Sequence, residues 1–259
     1  MIIVFVLMLL AIVWIFWSFK KMTVEEAEHT DFPAEWESYL SNNLEVYSKF
    51  SEELKKSLKV HILMFLDRVD FEGVREQKIT DELRVTIAGQ ACLLIVKQRQ
   101  YVYQVLKKVV VYPRAYRIEG QEEAMILGQS SADGVVYLSW DDSQRGAWNW
   151  HDGKNVVIHE FAHQLDQEDG SADGVPLLSL TRSCTTFAGV IADEYLDICE
   201  RSGKRRRHVI DDYAQTNQAE FFAVATESFF EKPRQMQKKH PELFGALLKY
   251  YKLDPLKWC

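Results

Sequence analysis

The residue types best suited to chemistry stand in one short stretch, where His159 and His163 are four positions apart and Glu160 follows the first histidine. Positions four apart on a helix lie on the same face, so both imidazoles can reach a single tetrahedral ion such as Zn²⁺. The Glu160 carboxylate then lies beside the metal, where it can take a proton from a water that the ion has acidified to a pKa of ~7. The spacing predicts a zinc site with Glu160 as general base.

The same motif also occurs by chance, and its alternative interpretation is structural. Two histidines four positions apart can form a half-buried pair that hydrogen-bonds to its neighbours, with Glu160 facing solvent. The flanking residues Ile158, Phe161 and Ala162 are uncharged. Such flanks are typical of a helix that is buried on most sides and lines a cleft with one polar edge, so they favour the metal site.

A catalytic zinc ion usually has three protein ligands and keeps a fourth position for water, so one further ligand is required. Glu220 is the strongest candidate, because it stands at the start of a second strongly apolar stretch that is typical of a buried helix. Its alternative role is the acid of a capping box with Asn217 as the N-cap residue. The residues leave four other acids open: Asp166, Glu194, Glu200 and Glu227.

Two stretches of the chain resemble the zinc peptidases of the Mlc titration factor A family, whose active site is similar to that of anthrax lethal factor. These stretches are VVIHEFAHQLD and DDYAQTNQAEFFAVATESFFEKP. The resemblance extends upstream through VVVYPRAY and GVVYLSWDD and covers residues 40–256. It implies that His159, His163 and Glu220 bind one zinc ion and that Glu160 is the base.

The resemblance also implies a role for Tyr213, which stands seven positions before Glu220. A phenol there would steady the oxyanion of the tetrahedral intermediate, because its hydroxyl can donate a hydrogen bond to the developing negative charge. The alternative is an aromatic residue at the boundary of the core.

Three further roles follow from the resemblance. The segment Val135–Ser139 resembles the edge strand with which such peptidases hold an extended substrate by main-chain hydrogen bonds, although it can equally be an interior strand. Asp166 and Glu227 are candidates for acids that orient the ligating imidazoles. The alternatives for both are ordinary surface or packing positions.

Apolar periodicity predicts the elements that position these side chains. Ser51 caps a helix that runs to about Arg68, and residues 81–97 form a buried helix, although their β-branched residues also allow a strand. Residues 109–112 and 135–138 are short buried strands, and helices follow from about Asn155. Together with the resemblance, these elements predict an α+β, zincin-like metallopeptidase domain. In it a small mixed sheet packs on the motif helix, and a helical C-terminal part contributes Glu220.

The N-terminus differs sharply from the rest, because residues 1–17 are all apolar and Lys20 and Lys21 close the segment. We predict one transmembrane helix at 1–19, a solvated acidic linker at 20–39 and one metallopeptidase domain at 40–259. The alternatives are a cleaved signal peptide, which usually has a basic n-region, and a buried helix, which usually has a polar face. The two lysines place the catalytic domain in the cytoplasm by the positive-inside rule.

The composition reduces the number of functions that the chain can have. A formal net charge of −7 argues against a sequence-independent nucleic-acid binder, and four scattered cysteines without C-x-x-C spacing fit buried thiols. Three functions remain: a peptidase that cuts peptides or a protein partner, a binding protein that sequesters a partner such as a transcriptional repressor, and a membrane-tethered scaffold with a structural zinc. The intact general base favours the peptidase. A structural zinc usually closes its fourth position with a protein ligand, and only three are evident.

Overall fold

The computed structural model describes residues 21–116, 126–176, 183–200 and 209–258, and within 183–186 it describes the backbone alone. The predicted transmembrane helix at 1–19 lies outside the described residues. None of the helices in the described ranges has both the length and the apolar character that crossing a bilayer requires. Cys92 is a buried free thiol and Cys199 is a partly buried one.

The described elements alternate between helices and a few short strands. The helices are α1 (Val24–Glu28), α2 (Ala34–Asn43), α3 (Glu52–Arg68), α4 (Asp81–Leu93), α5 (Trp140–Trp148), α6 (Val156–Asp166), α7 (Ser183–Glu200), α8 (Gln218–Glu231), α9 (Pro233–Lys239) and α10 (Pro241–Tyr251). The strands are β1 (Asp70–Gly73), β2 (Lys108–Tyr112), β3 (Gly128–Ser131) and β4 (Val135–Ser139).

Residues 21–39 belong to the folded domain, so the interpretation of 20–39 as a solvated linker is wrong for this part. Thr23 and Glu26 form a capping box that starts α1. Ala27 is buried on the facing side of α1, against α3. The Met22 N–H donates to Asp67 Oδ2 at 2.7 Å, which fixes the chain beside the end of α3. Two of the acids that indicated a linker, Glu25 and Glu28, lie on the exposed side of the docked helix α1.

The helices α3 and α4 agree with the sequence prediction. Ser51 Oγ accepts the Leu54 N–H at the start of α3, and Thr80 Oγ1 accepts the Leu83 N–H at the start of α4. Every residue of α4 from Val85 onward is buried, which fits its apolar character all round and excludes the strand alternative. The helix ends at Leu93, four residues before the predicted end, and turns follow it.

The strands form one mixed four-stranded sheet in the order β1-β2-β4-β3. β1, β2 and β4 are parallel, and β3 is antiparallel to β4. The two predicted strands are confirmed as β2 and β4, both with buried interior positions. Val135–Ser139 is an interior strand, so its prediction as the edge strand is wrong. The edge strand beside the motif helix is β3, which sequence analysis did not detect.

The helix α6 lies between the sheet and the C-terminal helices. It packs against β3, β4 and α5 on one side and against α8 on the other. Phe161 of α6 is fully buried and contacts Phe65 and Tyr103 at ring-centroid distances of 5.6 and 5.3 Å. The result is an α+β domain, largely helical with a small mixed sheet, as predicted.

Candidate metal centre

The start of α6 is fixed by its N-cap residue. Asn155 Oδ1 accepts the Ile158 N–H at 3.0 Å, and the Asn155 side-chain amide donates to the Gly146 carbonyl at 3.1 Å. Asn155 is fully buried, so its side chain ties the first turn of α6 to α5. The apolar face of α6 then enters the core, and the polar edge with His159 and His163 faces α8.

The start of α8 is capped in the same way. Asn217 Oδ1 accepts the Glu220 N–H at 2.9 Å. This is the first half of the capping box proposed as the alternative role of Glu220, but the Glu220 carboxylate points to the histidines of α6. The backbone half of the cap is therefore present, and the Glu220 side chain is directed to the histidines.

The three predicted ligands come together in space. The Nε2 atoms of His159 and His163 lie 3.2 Å apart, and Glu220 Oε2 lies 3.0 Å from the first and 3.4 Å from the second. Within the described residues, these three side chains are the group of His, Cys, Asp and Glu whose donor atoms are close enough to hold one metal ion. Their side chains are 13 to 18% exposed, so the group is largely shielded from solvent.

Glu227 lies behind His159 and contacts its other ring nitrogen. Glu227 Oε1 accepts from His159 Nδ1 at 2.7 Å, and Glu227 Oε2 accepts the Asn155 N–H. A proton on Nδ1 leaves the lone pair of Nε2 free, and Nε2 is the atom that faces His163 and Glu220. The structure thus places Glu227 where it can orient the imidazole.

The other candidate acids lie elsewhere. Asp166 Oδ2 accepts the Gly174 N–H at 2.9 Å and so holds the loop after α6, without a bond to either histidine. Glu194 accepts from His240 Nδ1 at 2.7 Å, a contact between α7 and the start of α10. Glu200 is exposed at the last residue of α7. None of the three joins the group around His159.

A cleft of about 580 Å³ opens beside the group. The side chains of Glu160 and Tyr213 line it together with His159 and Glu227. Glu160 is 6% exposed, whereas Tyr213 is 54% exposed with its ring centroid 6.1 Å from that of His159. The cleft also reaches the edge strand at Gly128, so a ligand in it contacts both α6 and the sheet.

Burial and like charges perturb several pKa values here. Burial raises the pKa of Glu160 to about 7, although the neighbouring histidines act in the opposite direction. Burial would also raise the pKa of Glu220, but hydrogen bonds from His159 and His163 outweigh it and lower the value to about 2. The pKa of Tyr213 is raised by burial and by the charge of Glu220. A cluster of perturbed carboxyl groups in a cleft is typical of a functional site.

Comparison with known proteins decides the family. The family described as glucose-regulated metallo-peptidase M90 matches residues 17–252. The chain belongs to the M90 family. An uncharacterized protein of Synechocystis sp. is 34% identical over 257 residues, which cover 95% of this chain and 92% of that protein.

Proteins called Mlc titration factor A also resemble this M90 chain. That of Pectobacterium atrosepticum is 27% identical over 257 residues, covering 93% of this chain and 91% of its own length. That of Klebsiella pneumoniae is 28% identical over 249 residues, covering 90% of each. The predicted resemblance is confirmed. The M90 match begins well before residue 40, in agreement with the docking of α1 and α2 onto the domain.

Sequence reasoning missed two residues close to the candidate site. Glu231 is 3% exposed, and its Oε2 accepts the N–H groups of Gly153 and Lys154 at 2.7 and 3.0 Å. It stands eleven positions after Glu220, which is three helical turns, so its spacing from this candidate ligand could have revealed it. Gly128 of β3 lies against Glu160, and no local pattern in the sequence indicates that contact.

Proposed function

We propose that the protein is a zinc-dependent peptidase of zincin-like fold, in which His159, His163 and Glu220 hold one Zn²⁺ and Glu160 is the general base. The observation that carries the proposal is the convergence of three donor atoms from two helices, one of them on His159, which lines a cleft together with the buried Glu160. Membership of a metallopeptidase family supports it.

The donor geometry fits zinc. Two metal bonds of ~2.0–2.1 Å that open at a tetrahedral angle hold their donor atoms ~3.3 Å apart. The three donor distances of 3.2, 3.0 and 3.4 Å lie around this value. Two imidazoles and one carboxylate are a common ligand set of catalytic zinc, and three ligands leave one position for water. When bound, the ion would acidify that water and polarise a substrate carbonyl.

The side chains of the cleft supply the remaining chemistry. Glu160 takes a proton from the attacking water and is suited to this because its raised pKa, about 7, lies near neutral pH. Tyr213 lines the cleft and is 54% exposed, and its hydroxyl donates a hydrogen bond to the oxyanion that forms during attack. Glu227 orients His159 and increases its basicity.

The edge strand β3 supports a peptide as substrate. The Ser139 N–H donates to the Leu127 carbonyl at 2.8 Å, and Gly128 stands opposite Leu138. Antiparallel pairing alternates, so the N–H and C=O groups of Gly128 and Ser130 point away from β4, toward the side of β3 where the described residues place no further strand. An extended peptide can pair with these groups as an added strand. This role replaces the one that we predicted for Val135–Ser139.

The deciding experiment compares the full chain with Glu160→Gln and Tyr213→Phe. We expect both variants to bind one zinc ion per chain, as wild type does, and to lose peptide hydrolysis by factors on the order of 10² or more. Zinc content by atomic absorption and the rate on a fluorogenic peptide library give the two readouts. Equal rates for wild type and Glu160→Gln would remove the catalytic role of Glu160 and leave metal binding intact.

A second candidate function is binding of a regulatory protein, such as a transcriptional repressor. The support is the name of the relatives, which describes them as titrating Mlc. Pull-down of a repressor from lysate by wild type and by Glu160→Gln separates the two functions. Binding without hydrolysis by wild type would favour this second function.

We further propose that residues 1–19 anchor the protein in a membrane with the catalytic domain in the cytoplasm. The support is the run of apolar residues that ends at Lys20 and Lys21. Membrane fractionation, followed by protease access from each side, tests this. Recovery of the full-length chain in the soluble fraction would exclude the anchor.

A further inference from the structure

The edge strand β3 lies along α6, the helix that carries His159 and His163. Two contacts join them, and the contacting residues are two positions apart on the strand and four positions apart on the helix. Gly128 lies against Glu160. Gln164 Nε2 donates to Ser130 Oγ at 2.6 Å. Two strand residues and four helix residues both advance ~6–7 Å, so the strand and the helix stay in register over this length.

At Gly128 the strand is too close to the helix for any side chain. A Cβ atom built there would lie 2.6 Å from Glu160 Oε1, 2.7 Å from Glu160 Cγ and 2.6 Å from Val156 Cγ2. Real Cβ atoms essentially never come closer than 3.0 Å to such atoms. Any residue other than glycine must therefore displace Glu160, Val156 or the strand itself.

The backbone conformation does not explain the glycine. The glycines with positive φ in the described residues are Gly134, Gly153, Gly170 and Gly174, and Gly128 is not among them. An L-residue can adopt the backbone of Gly128 without strain, so the reason for a glycine at this position is its contact with Glu160 and Val156.

The strand also cannot easily move away from the helix. The Leu127 carbonyl accepts the Ser139 N–H, which holds the strand to β4. On the other side of Gly128, Gln164 holds Ser130, and Gln164 is 1% exposed. Since Leu127 and Ser130 on either side of Gly128 are tethered, a methyl group at this position acts mainly on the side chains of Glu160 and Val156, of which Glu160 is buried.

We propose that Gly128 is a positioning residue that sets the place of the Glu160 carboxylate beside the metal. This inference rests on the proposed function, in which Glu160 is the general base. Because Gly128 has no side chain, the edge strand can expose its main chain to the substrate. The space that a Cβ atom would fill is occupied by the Glu160 carboxylate. Gly128 therefore acts on the reaction through Glu160 and not through the metal ligands.

The test is Gly128→Ala in the full chain, with Gly189→Ala in α7 as the matched control, because a Cβ there meets nothing within 4 Å. We expect Gly128→Ala to lower kcat on the order of 10²-fold with little change in KM, since small displacements of a catalytic group cost this much. Zinc content should stay at the wild-type level. Gly189→Ala should resemble wild type. A kcat of Gly128→Ala within about twofold of wild type, or loss of zinc, would overturn the proposal.

A double-mutant cycle with Glu160→Gln tests whether Gly128 acts through Glu160. The readout is the dissociation constant of a peptidyl hydroxamate, measured by calorimetry, because its acidic hydroxyl needs a neighbouring carboxylate as proton acceptor. We expect each single variant to bind the hydroxamate more weakly, and Gly128→Ala to add nothing in the Glu160→Gln background. Additive losses would show that Gly128 acts independently of Glu160 and would overturn the proposal.

Two further measurements separate the remaining outcomes. If Gly128→Ala folds poorly, Gly128→Ala with Val156→Ala removes the second contact, and an unchanged hydroxamate affinity in that variant overturns the proposal. If wild type hydrolyses no peptide, the proposed function fails. Crystal structures of wild type and Gly128→Ala then test the positioning role directly, by comparing the position of the Glu160 carboxylate. The Glu160 carboxylate should be displaced in Gly128→Ala, and an undisplaced carboxylate overturns the inference.

Discussion

The carboxylate of Glu227, on α8, bonds both to the candidate ligand His159 and to the start of α6, the helix that carries His159. One oxygen accepts from His159 Nδ1 and the other accepts the Asn155 N–H. The ring orientation therefore depends on a side chain from α8 and on the N-terminus of α6 together. An imidazole held in this way keeps its Nε2 lone pair directed at the metal position, without the rotamer freedom that a surface histidine has.

Replacement of this carboxylate by an amide should weaken metal binding. We expect Glu227→Gln to lower zinc affinity about 10- to 100-fold, because the neutral amide supports the imidazole less strongly. Competition with a chromogenic chelator measures the affinity. The matched control is Glu194→Gln, which alters a second Glu–His pair of the same 2.7 Å length outside the site. Equal affinity for Glu227→Gln and wild type would contradict the orienting role.

At the residue scale, sequence analysis predicted a candidate ligand group whose donor atoms the structure brings close together. His159, Glu160 and His163 were predicted from helical spacing alone, because an i, i+4 pair has one geometry whatever surrounds it. Glu220 needed the resemblance to be chosen among several acids. The choice between Asp166 and Glu227 as orienting acid was not predictable, because it depends on which helix packs against which ring nitrogen.

At the scale of elements, one stripe of α8 serves the whole site. Glu220, Glu227 and Glu231 lie seven and then four positions apart, so they point to the same side of the helix. Glu220 faces the histidines, and Glu227 and Glu231 hold the backbone N–H groups of residues 153–155. Carboxylates near a helix N-terminus are favourable, and here they fix α6 against α8.

The innermost of these acids should make stability depend on pH. Burial and the charge of Glu227 raise the pKa of Glu231 to about 9, from an ordinary value of 4.5. The folded state thus binds a proton that the unfolded state releases between these values, so this group's contribution to stability falls as pH rises from about 4.5 to 9. We expect Glu231→Gln, which cannot ionise, to gain stability relative to wild type across this window.

Urea unfolding of both proteins at pH 5, 7 and 9 measures the effect. Glu242→Gln, on the exposed first turn of α10, is the control and should follow wild type at each pH. A constant difference between Glu231→Gln and wild type at all three values would show that Glu231 does not titrate in this range.

The elements differ in how far the sequence predicts them. α3 and α4 have capping residues and long apolar patterns, so their starts were predicted correctly. β3 consists of Gly-Gln-Ser-Ser, whose residues have low strand propensity, and it forms because β4 offers a partner and α6 a surface. Sequence analysis missed the short helices α1 and α2. Their exposed acids dominate the local composition, and only a few apolar residues in each helix dock onto α3 and α4.

At the scale of the whole molecule, the site exists because two helices far apart in sequence pack together. His159 and Glu220 are separated by 61 positions. At the site, the imidazoles of α6 face the carboxylates of Glu220 and Glu227 on α8. A metal ion held by both helices stabilises the folded state by its binding free energy, because the unfolded chain does not present the three ligands together.

Removal of the metal should therefore lower the stability of the whole domain. At free zinc 100 times Kd, binding to the folded state alone contributes ~2.7 kcal/mol, so a chelator should lower Tm by several degrees. Glu160→Gln keeps all three ligands and should show the same loss on chelation. Glu220→Gln lacks one ligand and should show a smaller one at the same zinc concentration. Equal losses for Glu220→Gln and wild type would exclude Glu220 from the ligand set, since the ion would then be held by α6 alone.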